Sequence, residues 1–457
     1  MAAYCRATHY RVGLIRGRAL LTELYDAAVA GAAPGPVTAA ALQDFPARSG
    51  QRIWLYAIGK AAHPMAAAAA GVIQRSLLRI SGGVIVSHEP TTSPYSTVLS
   101  IEGDHPLPGR HSFTAAARIG DATAGMRSDD VAIVLISGGT SSMIAAPLRG
   151  MAESDLGQLF EQLHASGLDI QSMNAVRKRF TRWGAGRLAL ALAPARTYAY
   201  IMSDVLGDDP ADIGSGPCSP DSRTVKEVIE ILAGAKLMPR IAPAMRDYLT
   251  SVTRGVVPET PKRTHPAFAH VKTKIIGSNR LALDAVRSRA ASLGLDCESV
   301  ATPITGEAGR CGTQVADLLL QRAQQGRAGC VLWGGETTVQ LPSAISGTLA
   351  GTEPPPSGGR CQELALAAAH RLGEAGGEIA ARITILAAGT DGRDGPTEAA
   401  GAFADASLWA RIRDSGFDPA LALARHESHS ALGAAGALIP RRNTGTNVMD
   451  VVIGIVE

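Results

Sequence analysis

The sequence is poor in aromatic residues, balanced in charge and free of long hydrophobic runs. Phe, Trp and Tyr make up 4% of the 457 residues, and 44 Lys and Arg offset 41 Asp and Glu to a net charge of +3. This balance argues against a strongly basic nucleic-acid-binding protein. The longest small apolar run, Pro64–Ile73, is far shorter than the roughly 18 residues of a membrane span. We therefore expect neither nucleic acid nor membrane as a partner.

Cysteine is also scarce. The six cysteines stand at 5, 218, 297, 311, 330 and 361, and no two of them form a CxxC pair. Their spacing argues against a zinc knuckle and against a disulfide framework, and it predicts reduced thiols. The opening residues Met1–Tyr10 are polar and lack the apolar core of a signal peptide. These features predict a cytoplasmic protein.

What the sequence does contain is a series of short β-rich runs separated by helical stretches. Most of the runs are continuously apolar, which is typical of parallel strands covered on both faces by helices. The pattern predicts an α/β fold, opened by an amphipathic helix over Arg16–Ala30. The predicted strands are Ile53–Ile58, Gly83–Ser87, Val131–Ser137, Thr197–Met202, Lys274–Gly277, Ala328–Trp333 and Arg382–Ala388.

The length predicts two domains, at roughly 100–200 residues for each. The segment Val256–Pro266 is rich in proline and charge, and we interpret it as the linker between domains at 12–255 and 267–457. Pro342–Gly359 is a long loop rich in proline and glycine. Loops of this length are commonly lids or disordered, so we expect it to close over a bound ligand.

Four predicted strands end in loops that carry glycines, hydroxyls and carboxylates. Since ligands of parallel sheets bind beyond the carboxyl ends of the strands, these loops predict a site for an anion, with acidic residues available to Mg²⁺. A single Gly-Gly or Asp-Gly pair is usually only a turn, but four such loops favour ligand binding. The loops begin at Ser137-Gly138-Gly139-Thr140-Ser141, Ser203-Asp204, Gly334-Gly335-Glu336 and Gly389-Thr390-Asp391.

Two cations stand beside these loops. Lys60 follows the first strand and can reach a phosphate as a point charge, although a lysine at a helix start is by default solvated. Arg360 opens an apolar helix and can bind a phosphate or carboxylate through two nitrogens, or alternatively form a structural cap or salt bridge. Asn279 either contacts a ligand or caps the next helix.

The missing motifs narrow the class. The chain has no GxxxxGK[ST] loop, no GxGxxG between a strand and a helix, no GxSxG elbow and no HExxH pair. These absences argue against a Walker-type nucleotide site, dinucleotide-dependent hydride transfer, an α/β-hydrolase and a zinc protease.

The assembled segments resemble the glycerate 2-kinase family, whose C-terminal part is the MOFRL region, here about 330–455. The resemblance runs in order over nearly the whole chain. Trp183–Arg187 and Cys361 depart from the family's usual pattern. The segments that carry it are AIGKAAHPMA, GDHPLPG, LISGGTSSMIAAP, VRKRF, GAGRLA, SDVLGDDPADIGSGPCSPD, GSNRLAL, TGEA, GGETTV, GGRCQELALA, AAGTDGRDGPTEAAGA and TGTNVMD.

The resemblance implies two α/β domains, the larger with a Rossmann-like, mostly parallel sheet, and an active site in the cleft between them. It also implies ATP-dependent phosphorylation of D-glycerate at its 2-hydroxyl, with Mg²⁺, and catalytic roles for Lys60 and Arg360. From the chemistry of phosphoryl transfer we assign Asp204, with Asp208 or Asp391 as alternatives, to the metal or to the proton of the acceptor.

Three alternatives stay open at this point. The acceptor is glycerate or another small hydroxy acid, because pocket specificity leaves no readable motif. A hydroxypyruvate reductase is a second possibility, and a silent nucleotide- or sugar-acid-binding protein is a third. The oligomeric state is open, with a homodimer as one candidate.

Overall fold

The computed structural model describes residues 2–46, 48–89, 91–340 and 357–457, and it divides into two compact units. The parallel unit is Pro34–Gly277, and the mixed unit combines Met1–Ala33 with Ser278–Glu457. The first helix, α1 (Ala2–Gly31), belongs to the mixed unit. Most of the predicted lid, up to residue 356, lies outside the described residues.

The parallel unit is built on six parallel strands, which confirms the predicted α/β class. Their order is β3-β2-β1-β4-β5-β6, the order of doubly wound nucleotide-binding folds. The chain adds strands on one side of β1 up to β3 and then on the other side from β4 to β6, so the strand order reverses between β1 and β4. The strands are β1 Ile53–Ile58, β2 Ile80–Ser87, β3 Val98–Glu102, β4 Val131–Ile136, β5 Arg196–Met202 and β6 Val271–Gly277.

Helices cover this sheet because both faces of its central strands are apolar. Every residue of β4 is buried, and alternate residues of β1 and β4 pack with α4 and α8 in one hydrophobic cluster. The helices are α2 Pro34–Ala41, α3 Ala62–Arg75, α4 Arg110–Thr123, α5 Thr140–Met143, α6 Glu153–His164, α7 Ile170–Phe180, α8 Arg187–Leu192, α9 Val225–Gly234 and α10 Pro243–Thr253, with 3₁₀ turns at Ile213–Ser215 and Pro266–His270.

The boundary between the units lies at 277/278 and not in the predicted linker 256–266. That segment is part of the parallel unit, because its polar side chains bind a buried charged cluster. Glu259 pairs with Arg179 at 2.5 Å, and the Thr260 hydroxyl donates to Asp221 at 2.8 Å. The strand that follows, β6, then completes the parallel sheet beside β5.

The mixed unit has a seven-stranded sheet in the order β12-β11-β10-β13-β9-β7, with β8 paired to β9. We expected parallel pairing for the strands predicted at Ala328–Trp333 and Arg382–Ala388. For β9 this is confirmed in part, since it pairs in parallel with β7 and β8 and antiparallel with β13. For β10 it is wrong, since both its neighbours, β11 and β13, are antiparallel. A fully buried strand reads as continuously apolar in either direction, and β13 itself was not predicted. The strands are β7 Cys297–Ser299, β8 Ile304–Glu307, β9 Gly329–Thr338, β10 Ile383–Gly389, β11 Ala399–Asp405, β12 Leu438–Pro440 and β13 Asp450–Val456.

Helices α12 and α13 supply most of the core that covers this second sheet. The helices here are α11 Asn279–Ser292, α12 Ala308–Gln324, α13 Arg360–Ala375, α14 Gly377–Ala381, α15 Leu408–Asp414, α16 Pro419–Ala424 and α17 Ser428–Ala434. The predicted opening helix is confirmed as part of α1, and its Tyr25 hydroxyl donates to the Gly389 carbonyl at 2.7 Å. Within the described ranges, no helix is both long and apolar enough to cross a membrane.

Candidate active site

The first cluster of predicted site residues lies at the carboxyl ends of β1 and β4, where the strand order of the parallel sheet reverses. Lys60 follows β1, and the loop Ser137-Gly138-Gly139 follows β4, the neighbouring strand. The Lys60 backbone N–H donates to the Gly138 carbonyl at 2.9 Å, and the Ala61 N–H donates to the Ser137 hydroxyl at 3.0 Å. Ligands of such folds bind where the strand order reverses, so the position of this loop between β1 and β4 supports its prediction as an anion-binding loop.

Glycine at 138 is required by a close approach. A Cβ placed on Gly138 would lie 2.0 Å from Oδ2 of Asp204, at the end of β5. Gly139 adopts φ +87°, in the left-handed region, and a Cβ there would lie 3.0 Å from the His105 ring. The two glycines thus let a carboxylate and an imidazole approach the loop backbone closely.

The predicted hydroxyls of this loop do different work. The Thr140 side chain is fully buried, and its hydroxyl is within 2.9 Å of the Ile58 carbonyl and 2.8 Å of the Ser137 carbonyl, so it fixes the loop. The Ser141 hydroxyl lies 2.7 Å from that of Ser215 and joins the loop after β4 to the loop after β5. Only Ser141 of these two keeps partial exposure and can also meet a ligand.

Burial, together with the charge of Lys60, shifts the pKa values of two side chains in the parallel unit's cluster. Burial raises the pKa of Asp204 above its ordinary range, and the positive charge of Lys60 opposes that rise. Burial, Lys60 and His88 lower the pKa of His105 to about 4, so this imidazole is neutral at pH 7. Lys60 itself is exposed, and no carboxylate of the described residues lies within 4.0 Å of its ammonium. Lys60 is therefore available to an anionic ligand.

The second cluster lies at one edge of the mixed sheet. Because β9 and β10 are both antiparallel to β13, their carboxyl ends share an edge with the beginning of β13. Asp450, the first residue of β13, is the register partner of both Gly335 and Gly389. The predicted residues Glu336 and Thr390 follow these glycines. The shared edge that we predicted for parallel strands thus arises from a different topology.

Arg360 is held by two carboxylates at this edge. Asp450 accepts hydrogen bonds from Nε of Arg360 at 2.5 Å and from Nη2 at 2.9 Å. The Glu336 carboxylate forms an ion pair with Nη1 at 2.9 Å. Asp450 is buried, while the Arg360 side chain is 34% exposed. Among the described residues, three of the five N–H groups of this guanidinium face a carboxylate, which leaves two that can bind a ligand. Arg360 thus forms the structural salt bridge that the sequence analysis gave as the alternative, and it can still bind an anionic ligand.

Two predicted ligand residues position Asp450 through its strand. The Asn279 amide donates to the carbonyls of Val448 and Asp450 at 2.9 and 2.8 Å. The Thr390 hydroxyl donates to the Met449 carbonyl at 2.6 Å and accepts the Val448 N–H at 2.8 Å. Asn279 is not the helix cap of the alternative, since Ser278 caps α11. Both side chains are buried and hold the entry to β13.

The sequence analysis missed three residues in or next to these clusters, one of which, Asp394, accepts the Cys361 and Gln362 N–H groups directly after Arg360. Asp450, His105 and Asp394 all lie inside quoted segments, TGTNVMD, GDHPLPG and AAGTDGRDGP, but no role was assigned to them. Strand order would have been needed to place Asp450 beside Arg360, or His105 beside Gly139. Neither juxtaposition is encoded by local spacing.

The departures from the family pattern have structural explanations. The Trp183 indole donates to the Ala116 carbonyl at 2.9 Å inside the core. Arg187 donates to the carbonyls of Lys178 and Thr181 at 2.8 and 3.1 Å, and so caps the end of α7. Cys361 is buried, and burial raises the pKa of its thiol well above the ordinary value, so it acts as a small apolar residue.

The carboxylates fit a magnesium ion that arrives with a nucleotide better than a resident protein-bound metal. Among the residues that the structure describes, no group of three His, Cys, Asp or Glu side chains is arranged to hold a metal. Mg²⁺ commonly uses one or two carboxylates together with phosphate oxygens. Asp204, Asp208 and Asp391 are all partly exposed and offer such oxygens. Asp208 stands in a turn at φ +52°.

Two known protein families match this chain, one over most of the parallel unit and one within the mixed unit. Residues 20–250 match the Domain of unknown function (DUF4147), and residues 329–450 match the MOFRL family. The chain belongs to the MOFRL-containing glycerate 2-kinase family of enzymes.

The individual relatives agree. The chain is 32% identical to the D-glycerate 2-kinase of Thermotoga maritima over 409 residues, covering 89% of this chain and 91% of that protein. A crystal structure of a glycerate kinase from Thermotoga maritima matches with a TM-score of 0.83 at 30% identity, covering 96% and 99% of the two chains. A protein of Agrobacterium vitis with the provisional name hydroxypyruvate reductase is 36% identical, covering 86% and 96%.

Proposed function

We propose that this chain transfers the γ-phosphoryl group of ATP to the 2-hydroxyl of D-glycerate, giving 2-phosphoglycerate and ADP. Kinase relatives along nearly the whole chain support the reaction class. The observation that carries the proposal is that an exposed cation, Lys60, and a carboxyl of raised pKa, Asp204, lie near each other beside the Gly138-Gly139 loop.

Asp204 serves as the general base in this proposal. Its raised pKa makes it a stronger base than an ordinary aspartate, and the positive charge of Lys60 opposes the rise. It accepts the proton of the 2-hydroxyl as that oxygen bonds to the γ-phosphorus. The bond from phosphorus to the bridging oxygen of ADP breaks in the same displacement.

Charge neutralisation falls to the two cations. Lys60 is exposed just beyond the end of β1 and acts as a point charge on phosphoryl oxygens. Arg360 offers its two remaining N–H groups in a direction fixed by Asp450 and Glu336. The N–H groups of Gly138 and Gly139 have no acceptor among the described residues, and we assign them to an anionic group of substrate or nucleotide.

Magnesium is part of the proposal through Asp204, Asp208 or Asp391. When bound, Mg²⁺ would neutralise phosphate charge and orient the phosphoryl group. If Asp204 holds the metal, Asp208 becomes the candidate for the proton, and the two assignments differ in the pH dependence of turnover.

The test is incubation of the purified protein with ATP, Mg²⁺ and D-glycerate, with the product identified by ³¹P and ¹³C NMR. We expect 2-phosphoglycerate, and we expect its formation to fail in Lys60→Ala. The matched control is Lys226→Ala, an exposed lysine on α9. Formation of 3-phosphoglycerate would overturn the position of transfer and keep the kinase class.

Three further outcomes would change the assignment. Turnover of another hydroxy acid in place of D-glycerate would change the acceptor only. Oxidation of NAD(P)H with hydroxypyruvate, without ATP consumption, would replace the kinase by a reductase. Binding of ATP with no acceptor turned over in a hydroxy-acid panel would identify a silent binding protein.

A further inference from the structure

We infer that Asp394 is a positioning residue for Arg360, an inference that rests on the catalytic role proposed for Arg360 above. Asp394 lies in the loop after β10, in contact with the beginning of α13. Its side chain is 2% exposed, and it touches no part of the Arg360 guanidinium in the hydrogen bonds of the described residues. It acts through the backbone that carries Arg360.

The first step is the cap of α13. The N-cap residue is Gly359, which has no side chain to accept the free N–H groups of the first turn. Asp394 supplies that acceptor from another loop: Oδ1 accepts the Cys361 N–H at 3.1 Å, and Oδ2 accepts the Gln362 N–H at 2.8 Å. Arg360 immediately precedes these two residues, so its Cα is fixed by the same bonds.

A second set of bonds locks the carboxylate in place. The Gln362 amide, fully buried, donates to Asp394 Oδ2 at 2.9 Å and to the Thr397 hydroxyl at 3.0 Å. Its oxygen lies 2.9 Å from Nδ1 of His429. Burial raises the pKa of Asp394 to about 6, so the carboxylate is ionised above neutral pH. A buried ionised group persists only where hydrogen bonds compensate it.

Gly359 gives independent evidence of the close fit. A Cβ placed there would lie 2.2 Å from Cγ of Asp394, nearer than any real contact. The backbone φ of −140° is ordinary, so the requirement for glycine is one of space and not of strain. Asp394 and Gly359 therefore form one contact that can be broken from either side.

The structural consequence is that Arg360 is fixed at both ends. Asp394 fixes its backbone, and Asp450 with Glu336 fixes its guanidinium. Displacement of a catalytic group by about 1 Å can cost on the order of a hundred-fold in rate. Loss of the Asp394 cap should therefore lower turnover even though Asp394 touches no reacting atom.

The first experiment measures the Arg360 Nε–H signal by ¹⁵N NMR, assigned by its disappearance in Arg360→Lys. In Asp394→Asn and in Gly359→Ala we expect this signal to shift or broaden, since the orientation of the guanidinium is loosened. Asp418→Asn is the matched control, because Asp418 also accepts two N–H groups of a first helical turn, as the N-cap residue of α16. An unchanged signal in both variants overturns the inference, whether or not the protein phosphorylates glycerate.

The second experiment is a kinetic cycle. We expect Asp394→Asn to lower kcat/KM on the order of ten-fold, mostly in kcat, in the wild-type background. In the Arg360→Ala background it should cause no further loss, because its effect passes through Arg360. An equal loss in both backgrounds overturns the inference. Absence of turnover in the wild type contradicts the proposed function alone, since the NMR measurement still decides the role of Asp394.

Discussion

The two units present their cations in opposite ways. In the parallel unit, Lys60 is exposed and unpaired within the described residues, and a partly exposed carboxyl of raised pKa, Asp204, lies near it. In the mixed unit, Arg360 is held by Asp450 and Glu336 before any ligand arrives. A free lysine can adapt to its ligand, but it loses side-chain conformational entropy when the ligand binds. An arginine that is already fixed presents its N–H groups in a set direction and loses little further entropy.

The largest effect should come from removing either charge. We expect Lys60→Ala and Arg360→Ala each to cost about 3 kcal/mol or more in kcat/KM, as loss of a preorganised charge contact does. Steady-state kinetics with ATP and D-glycerate measures both. Near-wild-type turnover in either variant would remove that residue from the mechanism, with Lys226→Ala as the control for surface charge.

A sharper version of the comparison exchanges the two cations. Lys60→Arg keeps a charge at a site that needs only a point charge, so we expect about 1 kcal/mol of loss. Arg360→Lys loses the two-nitrogen contact with Asp450, and we expect about 2–3 kcal/mol. The comparison would be refuted if Lys60→Arg lost more activity than Arg360→Lys.

Asp450→Asn tests whether the fixed orientation of Arg360 matters. The amide keeps one acceptor, but it removes the charge and places an N–H₂ group against the guanidinium, so we expect kcat/KM to fall by about 2 kcal/mol. Asp405→Asn is the matched control, since Asp405 is a fully buried partner of Arg411 in the same sheet. It should lower the unfolding temperature and leave kcat/KM unchanged. A kinetic effect of the same size in both variants would indicate general destabilisation.

The smallest expected effect is on pH dependence, at Asp204. Since its pKa is raised, the base is protonated at a higher pH than an ordinary aspartate, and kcat/KM should fall at a correspondingly higher pH in acid. A raised carboxyl pKa also means that the folded state binds the proton more tightly than the unfolded state. Ionised Asp204 therefore destabilises the fold near neutrality, and this penalty disappears as the pH falls through the raised pKa.

Asp204→Asn should accordingly raise the unfolding temperature at neutral pH more than in acid. The exposed Asp129→Asn serves as the control, with no change expected in either profile. A wild-type pH profile identical to that of Asp204→Asn would exclude Asp204 as the base.

Much of the fold could be predicted because buried strands leave a strong local signal. All seven predicted strands overlap observed ones, from β1 to β10. The missed strands are of two kinds. The strands β3, β7, β8 and β12 are short or only partly buried and leave a weak apolar signal. β11 is rich in Ala and contains Gly, so it does not read as a strand, whereas β13 is continuously apolar and was overlooked. Whether two strands pair in parallel or antiparallel could not be predicted, because a continuously apolar run indicates that a strand is buried and not which way it runs.

The site was predictable in its residue types and less so in their roles. Lys60, Ser137–Gly139 and Asp204 are brought together, since strand-end loops of a parallel sheet share an edge. Asn279 and Thr390 have the right location but hold backbone. Asp450 and Asp394 act over 90 and 33 residues of separation on Arg360 and Cys361, and no local pattern reports contacts of that range.

The assignment of α1 to the mixed unit makes the parallel unit an insertion within the chain. Leu21, Leu24 and Tyr25 are almost completely buried in the finished protein, and α11, against which α1 packs, begins only at Asn279. During synthesis this apolar stripe leaves the ribosome about 250 residues before its partner does, at the usual rate more than ten seconds earlier. The apolar stripe of α1 is therefore without its packing partner while the parallel unit is being synthesised.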